Sequence, residues 1–308
     1  MEKVKEFELK LRDGKDLHMY EWLNVENPKG VLQLVHGSCE HALRYQDFAN
    51  FLNKNGYLVI ANDHRGHGKT VKNKEDFGYF ADENGWQILV DDLYEVNKYI
   101  QEKYPHLPIV MFGHSMGSFL ARHYAIEHGD TLKAVVFCGT AHYGTSTLKF
   151  ARRVAARHQK KYGPKVLDKF IHKHSYAPLN KKFRKEGNTG AEWISSDKDV
   201  QQGFLKDPLT FPVFTTSGYK DLFSGLMYIE NKDNIQKTPK QLPILFLSGK
   251  NDPVGKFGKM VIKTHKNYLK YGYRADIKLY NEMRHEILNE KNKGEVYQDI
   301  LAFYNSNI

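Results

Sequence analysis

Residues 109–125, IVMFGHSMGSFLARHYA, decide the fold of this 308-residue chain. An apolar run at 108–112 predicts a buried strand, and the pattern at 116–128 predicts a helix. Between them lies Gly-His-Ser-Met-Gly at 113–117, a G-x-S-x-G sequence on a sharp strand-to-helix turn, where larger side chains at either glycine would clash. We therefore predict that Ser115 is a nucleophile above a helix N-terminus, which favours developing negative charge. A glycine-rich loop with an incidental serine is the alternative.

Strand and helix patterns alternate on both sides of this turn. Near the N-terminus, two alternating runs joined by Asp13-Gly14 predict a β-hairpin. The later alternation is typical of a mostly parallel central sheet flanked by helices. It is interrupted after the predicted sixth strand by a long stretch with helical patterning only. We predict a core formed by residues 1–142 and 239–308, with residues 143–238 inserted as a helical cap.

The charge of the chain is concentrated in one segment. Lys and Arg number 46 against 36 Asp and Glu, a formal net charge of +10. Residues 149–186 hold thirteen Lys or Arg and two acids, so this segment is +11 and the remainder is −1. An excess of this kind suggests an anionic partner.

Other features of the composition exclude several classes of protein. The two cysteines, Cys39 and Cys138, are too few for a disulfide framework and lack metal-ligand spacing. No apolar run approaches the roughly 18 residues of a membrane span. The N-terminus MEKVKEFELK is charged where a secretory signal would be apolar. We therefore expect a cytoplasmic protein.

A serine nucleophile needs a base, and the base needs an orienting acid. On a parallel sheet both should follow later strands, in the chain order serine, acid, histidine. Asp252 follows a predicted strand at 243–247, and His285 follows another at 275–280. Each has an ordinary alternative, a turn aspartate or a surface-loop histidine. Asp63 is a rival acid, but it precedes the nucleophile, so we predict Asp252 as the acid and His285 as the base.

Acyl transfer also needs hydrogen-bond donors for the oxyanion of the tetrahedral intermediate. One is expected from the backbone N–H of Met116, directly after the nucleophile. The second should come from the loop after the third strand, where Gly37 permits a close backbone approach. We assign this second donor to the backbone N–H of Ser38.

Several polar residues near this loop are interpreted as scaffold. His36 is expected to hold the loop by hydrogen bonds, with a role as catalytic base as the alternative. Cys39 is interpreted as a small packed side chain, because no separate base for a thiol is evident. Glu40, Arg44 and Arg65 are interpreted as a structural charge network below the site, with direct substrate binding as the alternative.

Several motifs occur in the order seen in a known group of enzymes. They are HGSCEHALRY at 36–45, DHRGHG at 63–68, GHSMG at 113–117, WISSD at 193–197 with DPL at 207–209, and HEILNE at 285–290. On these residues the chain resembles the α/β-hydrolase superfamily and, within it, the monoacylglycerol lipase and bacterial lysophospholipase group, also described as serine aminopeptidase S33-like. The resemblance implies an α/β-hydrolase fold, the catalytic residues Ser115, Asp252 and His285, and the oxyanion donors Ser38 and Met116.

The resemblance also implies an activity. We expect a serine hydrolase that cleaves carboxylic esters of an amphiphilic, lipid-like substrate through an acyl-enzyme on Ser115, with no metal or organic cofactor. Monoacylglycerol and lysophospholipid both fit, because they differ only in the group that leaves the same carbonyl. An amide or peptide hydrolase of the aminopeptidase type is the alternative, but it needs a carboxylate cluster that the cap acids do not suggest. A non-catalytic hydrolase-fold binding protein is a third hypothesis, although no triad member is missing.

The basic segment of the cap invites two interpretations. Residues 148–171 are predicted to form one amphipathic helix, with Tyr162, Val166 and Phe170 at a spacing of four beside a row of lysines. Its apolar side could pack over the active site and leave the lysines in water. Alternatively, segment 149–186 docks on an anionic membrane and the protein lies peripherally at the inner membrane surface. Nucleic acid is not expected as a partner, because the segment has no zinc spacing or RNA-binding motif.

Overall fold

The computed structural model describes residues 4–211 and 213–308. Eight strands form one sheet in the spatial order β1-β2-β4-β3-β5-β6-β7-β8. They are β1 Lys5–Lys10, β2 Asp16–Trp22, β3 Gly30–Val35, β4 Tyr57–Asn62, β5 Ile109–His114, β6 Ala134–Cys138, β7 Ile244–Gly249 and β8 Ala275–Tyr280. Strand β2 is antiparallel to β1 and β4, and the other neighbouring strands are parallel. The hairpin and the mostly parallel sheet are therefore confirmed.

Some helices cover the two faces of this sheet, and others lie in the chain between β6 and β7. They are α1 Gln46–Lys54, α2 Gly85–Lys103, α3 Met116–His128, α4 Thr145–Tyr162, α5 Lys169–Ser175, α6 Lys198–Lys206, α7 Thr216–Ile229, α8 Lys232–Ile235, α9 Lys259–Lys270 and α10 Lys293–Asn305. Apolar residues of α1 and α10 form one core layer, and those of α2, α3 and α9 belong to the other. Along β3, Val31 and Val35 join the second layer and Leu32 and Leu34 the first. This alternation buries every residue of the strand, as expected for a sheet covered on both sides.

The chain between β6 and β7 holds helices α4 to α8. Within it, Leu167 pairs with Thr215 in an isolated antiparallel bridge. The division into core and cap at residues 143 and 238 stays a prediction. Across residues 4–211 and 213–308, each helix is too short or too polar to cross a bilayer.

The prediction of one helix over residues 148–171 is wrong. Helix α4 ends at Tyr162, because Gly163 adopts a φ of +96° and Pro164 follows it. The next helix, α5, begins only at Lys169, where the Asp168 carboxylate accepts a hydrogen bond from a backbone N–H of the first turn. The apolar residues of this segment consequently have different surroundings from those of a continuous helix.

Candidate active site

Ser115 lies at the turn between β5 and α3, in a backbone conformation that side chains rarely adopt. Its φ is +54° and its ψ is −121°, values that cost free energy and are typical of functional turns. A Cβ at Gly113 would lie 2.3 Å from the carbonyl oxygen of Gly117, and one at Gly117 would lie 2.2 Å from that of Val35. The steric requirement for glycine at both positions is therefore visible in the structure. Ser115 is nearly buried, with 9% of its surface exposed, and it lines a cavity.

Asp252 and His285 lie together beside this turn. The carboxylate of Asp252, which follows β7, is fully buried, and its Oδ2 lies 2.9 Å from Nδ1 of His285, which follows β8. Its Oδ1 accepts a hydrogen bond of 2.8 Å from the backbone N–H of Val254. Because a carboxylate only accepts hydrogen bonds, Nδ1 carries the imidazole proton and Nε2 is left as the proton acceptor.

Ser115, the predicted nucleophile, faces the same cavity as His285 but is not hydrogen bonded to it. Ser115 and His285 both line a cavity of about 430 Å³. Nε2 of His285 is buried and has no hydrogen-bond partner among the described residues. The structure thus pairs Asp252 with His285, the predicted acid and base, and leaves Nε2, the nitrogen that would receive a serine proton, without a partner among the described residues.

The predicted oxyanion loop lies against the nucleophile. A Cβ on Gly37 would lie 3.2 Å from Cβ of Ser115, which shows how closely this loop passes. The backbone N–H of Gly37 donates to Glu40, at 2.7 Å, and this bond leaves the next residue, Ser38, facing the cavity. The hydroxyl of Tyr176, from the segment after α5, donates to the Ser38 hydroxyl at 3.1 Å. Met116, the other predicted donor, is the first residue of α3.

His36 is a scaffold residue in the structure. Its Nε2 accepts from the backbone N–H of His64 at 3.0 Å, and its Nδ1 therefore donates to the carbonyl oxygen of Gly37 at 2.8 Å. Burial lowers the pKa of His36 well below its usual value and lowers the pKa of His64 to about 3. Both imidazoles are consequently neutral, and they hold the loop rather than transfer protons.

A buried charge network reaches His285, the predicted base. Arg44 donates to Glu40 at 2.5 Å and makes two hydrogen bonds of 2.7 and 2.8 Å to Glu286. Burial disfavours the ionised form of Glu40, but His114 and Arg44 outweigh it and hold the pKa of Glu40 well below its usual value. Burial likewise disfavours charge on His114, yet the Glu40 carboxylate raises the pKa of His114 overall. Nε2 of His114 lies 3.1 Å from the carbonyl oxygen of His285, so this network reaches the backbone of the base.

Two other scaffold interpretations have different outcomes. Arg65 was expected in the network of Glu40 and Arg44, but it pairs instead with Asp92 and Asp13, so that expectation is wrong for Arg65. The physical reason is that Arg65 follows β4, where it meets α2 and the β1–β2 turn. Cys39 is buried, and burial raises the pKa of its thiol well above the usual value, which agrees with a packed side chain.

Residues of the segment predicted as the cap, 143–238, supply one wall of the cavity. The apolar lining of this wall includes Tyr176, Phe204, Leu205 and Phe211, which the sequence did not single out, together with Trp193 and Ile194 of the WISSD motif. Tyr176 lies between motifs and gives no signal in the sequence. Glu286, by contrast, directly follows the predicted base in HEILNE, and His114 directly precedes the predicted nucleophile, so their positions were available as a signal.

The sheet and the strand-to-helix serine, with an acid–histidine pair after the last two strands, define an α/β hydrolase. The chain belongs to the serine aminopeptidase S33 family, whose model matches residues 26–292. This confirms the resemblance that the motifs suggested.

Several proteins similar to the chain are named as lipases or esterases. It is 25% identical over 298 residues to a monoacylglycerol lipase of Mycolicibacterium smegmatis, covering 93% of this chain and 92% of that protein. It is 26% identical over 242 residues to a human monoglyceride lipase, covering 78% and 71%. Its structure is similar to that of a thermostable carboxyl esterase from Bacillus coagulans in complex with glycerol, with a TM-score of 0.91, 28% identity and coverage of 100% and 99%.

Proposed function

We propose that this protein is a serine hydrolase that cleaves carboxylic esters of lipid-like substrates, such as monoacylglycerols or lysophospholipids. The observation that carries the proposal is the hydrogen bonding of His285 in the cavity wall. His285 is held by Asp252 through Nδ1, and its Nε2 is free in the cavity that also exposes Ser115. The names of the relatives, monoacylglycerol lipase and carboxyl esterase, support an ester of a lipid as the substrate.

The proposed reaction has two steps. His285 takes the proton of Ser115 as the serine oxygen attacks the acyl carbonyl, and the backbone N–H groups of Ser38 and Met116 bind the resulting oxyanion. His285 then returns the proton to the leaving alcohol, and an acyl-enzyme remains on Ser115. A water molecule activated by His285 attacks this ester and releases the fatty acid. The apolar cap wall would bind the acyl chain and exclude water.

The acids of the cavity do not favour a peptide substrate with a free amino terminus. The two carboxylates of the cavity lining, Glu40 and Glu286, are both hydrogen bonded to Arg44. In the cap, Glu192 accepts hydrogen bonds from Asn180 and from Thr189. The oxygens of these carboxylates already accept hydrogen bonds from internal donors, so they are less available to bind a substrate ammonium group.

Replacing the nucleophile tests the activity. We expect Ser115→Ala to lower kcat for p-nitrophenyl butyrate by about 10⁴-fold or more, because the covalent step is lost. Ser224→Ala, in α7, is a matched control and should keep full activity. Retained turnover in Ser115→Ala with an unchanged circular dichroism spectrum would rule out the assignment. Rates for the wild type on matched monoacylglycerols and lysophospholipids would then identify the leaving group.

We also propose that the cap binds an anionic membrane from the cytoplasmic side, which would deliver the substrate to the cavity. Five apolar residues in and after α4 are exposed, with exposed fractions of 46–68%: Phe150, Tyr162, Val166, Leu167 and Phe170. The rings of Tyr162 and Phe170 lie 5.6 and 5.5 Å from the ring of His158, which makes part of this set contiguous. We call these five residues the apolar cap surface. Their exposure speaks against the alternative in which they pack over the active site.

Exposed lysines border the apolar cap surface. Lys160, Lys161 and Lys169 are exposed, and each cation near an anionic surface is worth about 1 kcal/mol. An apolar side chain that enters the interface adds roughly 1 kcal/mol or more when half of it was exposed to water. The composition of the surface therefore fits a bilayer that is both anionic and apolar.

Vesicle sedimentation tests this proposal. The wild type should bind vesicles that contain phosphatidylglycerol more tightly than vesicles of phosphatidylcholine alone, and salt should weaken the binding. Phe150→Ser with Phe170→Ser should reduce binding by about 30-fold, from roughly 2 kcal/mol of lost burial. Leu269→Ser on α9 removes a similarly exposed side chain and serves as the control. Equal binding to both kinds of vesicle would contradict the proposal.

A further inference from the structure

Apart from His285 itself, the residues of two sequence motifs have no part in the proposed reaction, yet the two motifs meet in the structure. They are WISSD at 193–197, in the cap, and HEILNE at 285–290, which contains the proposed base. The two segments are about ninety residues apart along the chain, but they are in contact in the structure through Ser196 and Glu290. Contacts between them lie on both sides of His285 in sequence, and they concern backbone groups as well as side chains.

Glu290 joins the two segments through one buried carboxylate. Its Oε1 accepts a hydrogen bond from the backbone N–H of Arg284 at 2.8 Å and another from that of Ser196 at 3.0 Å. Its Oε2 accepts from the hydroxyl of Ser196. The side chain of Glu290 is only 3% exposed. Both oxygens are therefore used to fix the residue before His285 to the cap.

The residue after His285 is fixed to the same cap segment. The backbone N–H of Glu286 donates to the carbonyl oxygen of Ile194 at 2.8 Å. The ring of Trp193 lies 5.1 Å from the imidazole of His285 and covers it. The guanidinium of Arg284 donates to the carbonyl oxygen of Glu192 at 2.5 Å. The cap segment 192–196 thus binds the base loop at residues 284, 285 and 286.

We propose that Glu290 is a positioning residue for His285, and that it acts by binding the base loop to the cap segment 192–196. The inference rests on the proposed function, since it assigns His285 as the base. With only the Asp252 contact to its imidazole and the His114 contact to its backbone carbonyl, His285 could still rotate or shift with its loop. The clamp at Glu290 removes that freedom, and a displacement of about 1 Å at a catalytic group can cost on the order of 10²-fold in rate. In this arrangement, the cap contributes to the geometry of the base as well as to the cavity wall.

The test compares removal of the carboxylate with its conservative replacement. Glu290→Ala should lower kcat for p-nitrophenyl butyrate by about 10- to 100-fold and change KM by less than about twofold. Glu290→Gln keeps an oxygen that can accept from both backbone N–H groups, so it should restore kcat to within about threefold of the wild type. Ser196→Ala removes a single hydroxyl donor and should give a smaller loss. Glu21→Ala is the matched control, because Glu21 is a buried carboxylate with bonds to Lys5 and Lys103 and lies on β2.

Two readouts separate positioning from a general loss of stability. In Glu290→Ala, the pH profile of kcat/KM should differ in shape from that of the wild type, because a displaced imidazole no longer keeps its wild-type geometry with Asp252. The far-downfield proton resonance of the His285–Asp252 hydrogen bond should weaken or shift. Glu21→Ala should change neither, even if it melts at a lower temperature.

The outcomes are distinguishable from those of the proposed function. If folded Glu290→Ala keeps the wild-type kcat and the wild-type downfield resonance, the inference is overturned. If Glu290→Ala does not fold, Ser196→Ala decides, and an unchanged kcat and resonance in that variant would overturn the inference. If the wild type hydrolyses no ester, the proposed function fails. In that case, the downfield resonance in Glu290→Ala, Glu290→Gln and Ser196→Ala still tests whether Glu290 positions His285, because this measurement needs no turnover.

Discussion

The sharpest perturbation of the proposed mechanism is Asp252→Asn, which changes one oxygen to an amino group. The Oδ1 position accepts from the backbone N–H of Val254 at 2.8 Å, so the amide oxygen should occupy this position. The amide NH₂ then takes the place of Oδ2, 2.9 Å from Nδ1 of His285, where the Ser248 hydroxyl can accept its other proton. Two donors would face each other unless His285 changes tautomer.

The tautomer change sets the expected magnitude. With Nδ1 as an acceptor, the imidazole proton moves to Nε2, and the base can no longer take the proton of Ser115. In serine hydrolases with this arrangement, the corresponding loss is about 10⁴-fold in kcat, which corresponds to about 5.4 kcal/mol in the activation barrier. The volume of the side chain hardly changes, so the fold should survive with a loss of about 1–3 kcal/mol in stability.

The cap offers a close geometric control for this variant. Asp168 is 4% exposed, its Oδ2 lies 2.7 Å from Nδ1 of His158, and its Oδ1 accepts from the backbone N–H of Ile171 at 2.9 Å. Asp168→Asn therefore disrupts the same kind of aspartate–histidine pair away from the proposed reaction. We expect kcat for p-nitrophenyl butyrate within about threefold of the wild type in Asp168→Asn. A folded Asp252→Asn with kcat within tenfold of the wild type would refute the reasoning.

Three other perturbations test the support around the site. Gly117→Ala places a Cβ 2.2 Å from the carbonyl oxygen of Val35, so stability should fall by about 3 kcal/mol and kcat by about 10²-fold; a fully active, equally stable variant would contradict this. Arg44→Met leaves two buried carboxylates without their cation and should cost about 3–5 kcal/mol, measured by urea unfolding. Burial raises the pKa of Asp221 from 3.8 to about 7, against weaker opposing effects, first the positive charge of Lys220 and then the Gly85 N–H, so wild-type stability falls as pH rises through this interval. The free energy of unfolding of Asp221→Asn should therefore exceed that of the wild type by up to about 4 kcal/mol at pH 8, with no advantage near pH 4.

The local chemistry around the nucleophile could be predicted because it is imposed by short-range sterics. A serine on a strand-to-helix turn needs glycine or another small residue two positions before and two positions after it. Gly113 and Gly117 meet this requirement, and the sequence shows it directly. Asp252 and His285 were found through the chain order of parallel strands, whose carboxyl ends meet at one edge of the sheet. The sequence could therefore predict the sheet and the candidate residues without knowing a single contact.

The cap could not be predicted in the same way. Helical spacing at Tyr162, Val166 and Phe170 suggested one amphipathic helix, but Gly163 and Pro164 end α4 inside that pattern. Periodicity describes which side chains would share a face, and it does not reveal whether another element covers that face. Contacts such as that between Glu290 and the cap depend on tertiary packing, which pattern alone does not show.

The two proposals about the cap are compatible because they concern different parts of it. The segment at 192–196 is hydrogen bonded to the base loop through Glu290 and Glu286, so moving it would disturb His285. The apolar cap surface lies on α4 and the chain that follows it. Backbone hydrogen bonds from Asp168 to Phe214, from Thr216 to Val166 and from Ser217 to Pro164 hold this chain in place. A membrane could therefore bind the exposed apolar side chains without displacing the segment, while the loop of the proposed base remains held by the other part of the cap.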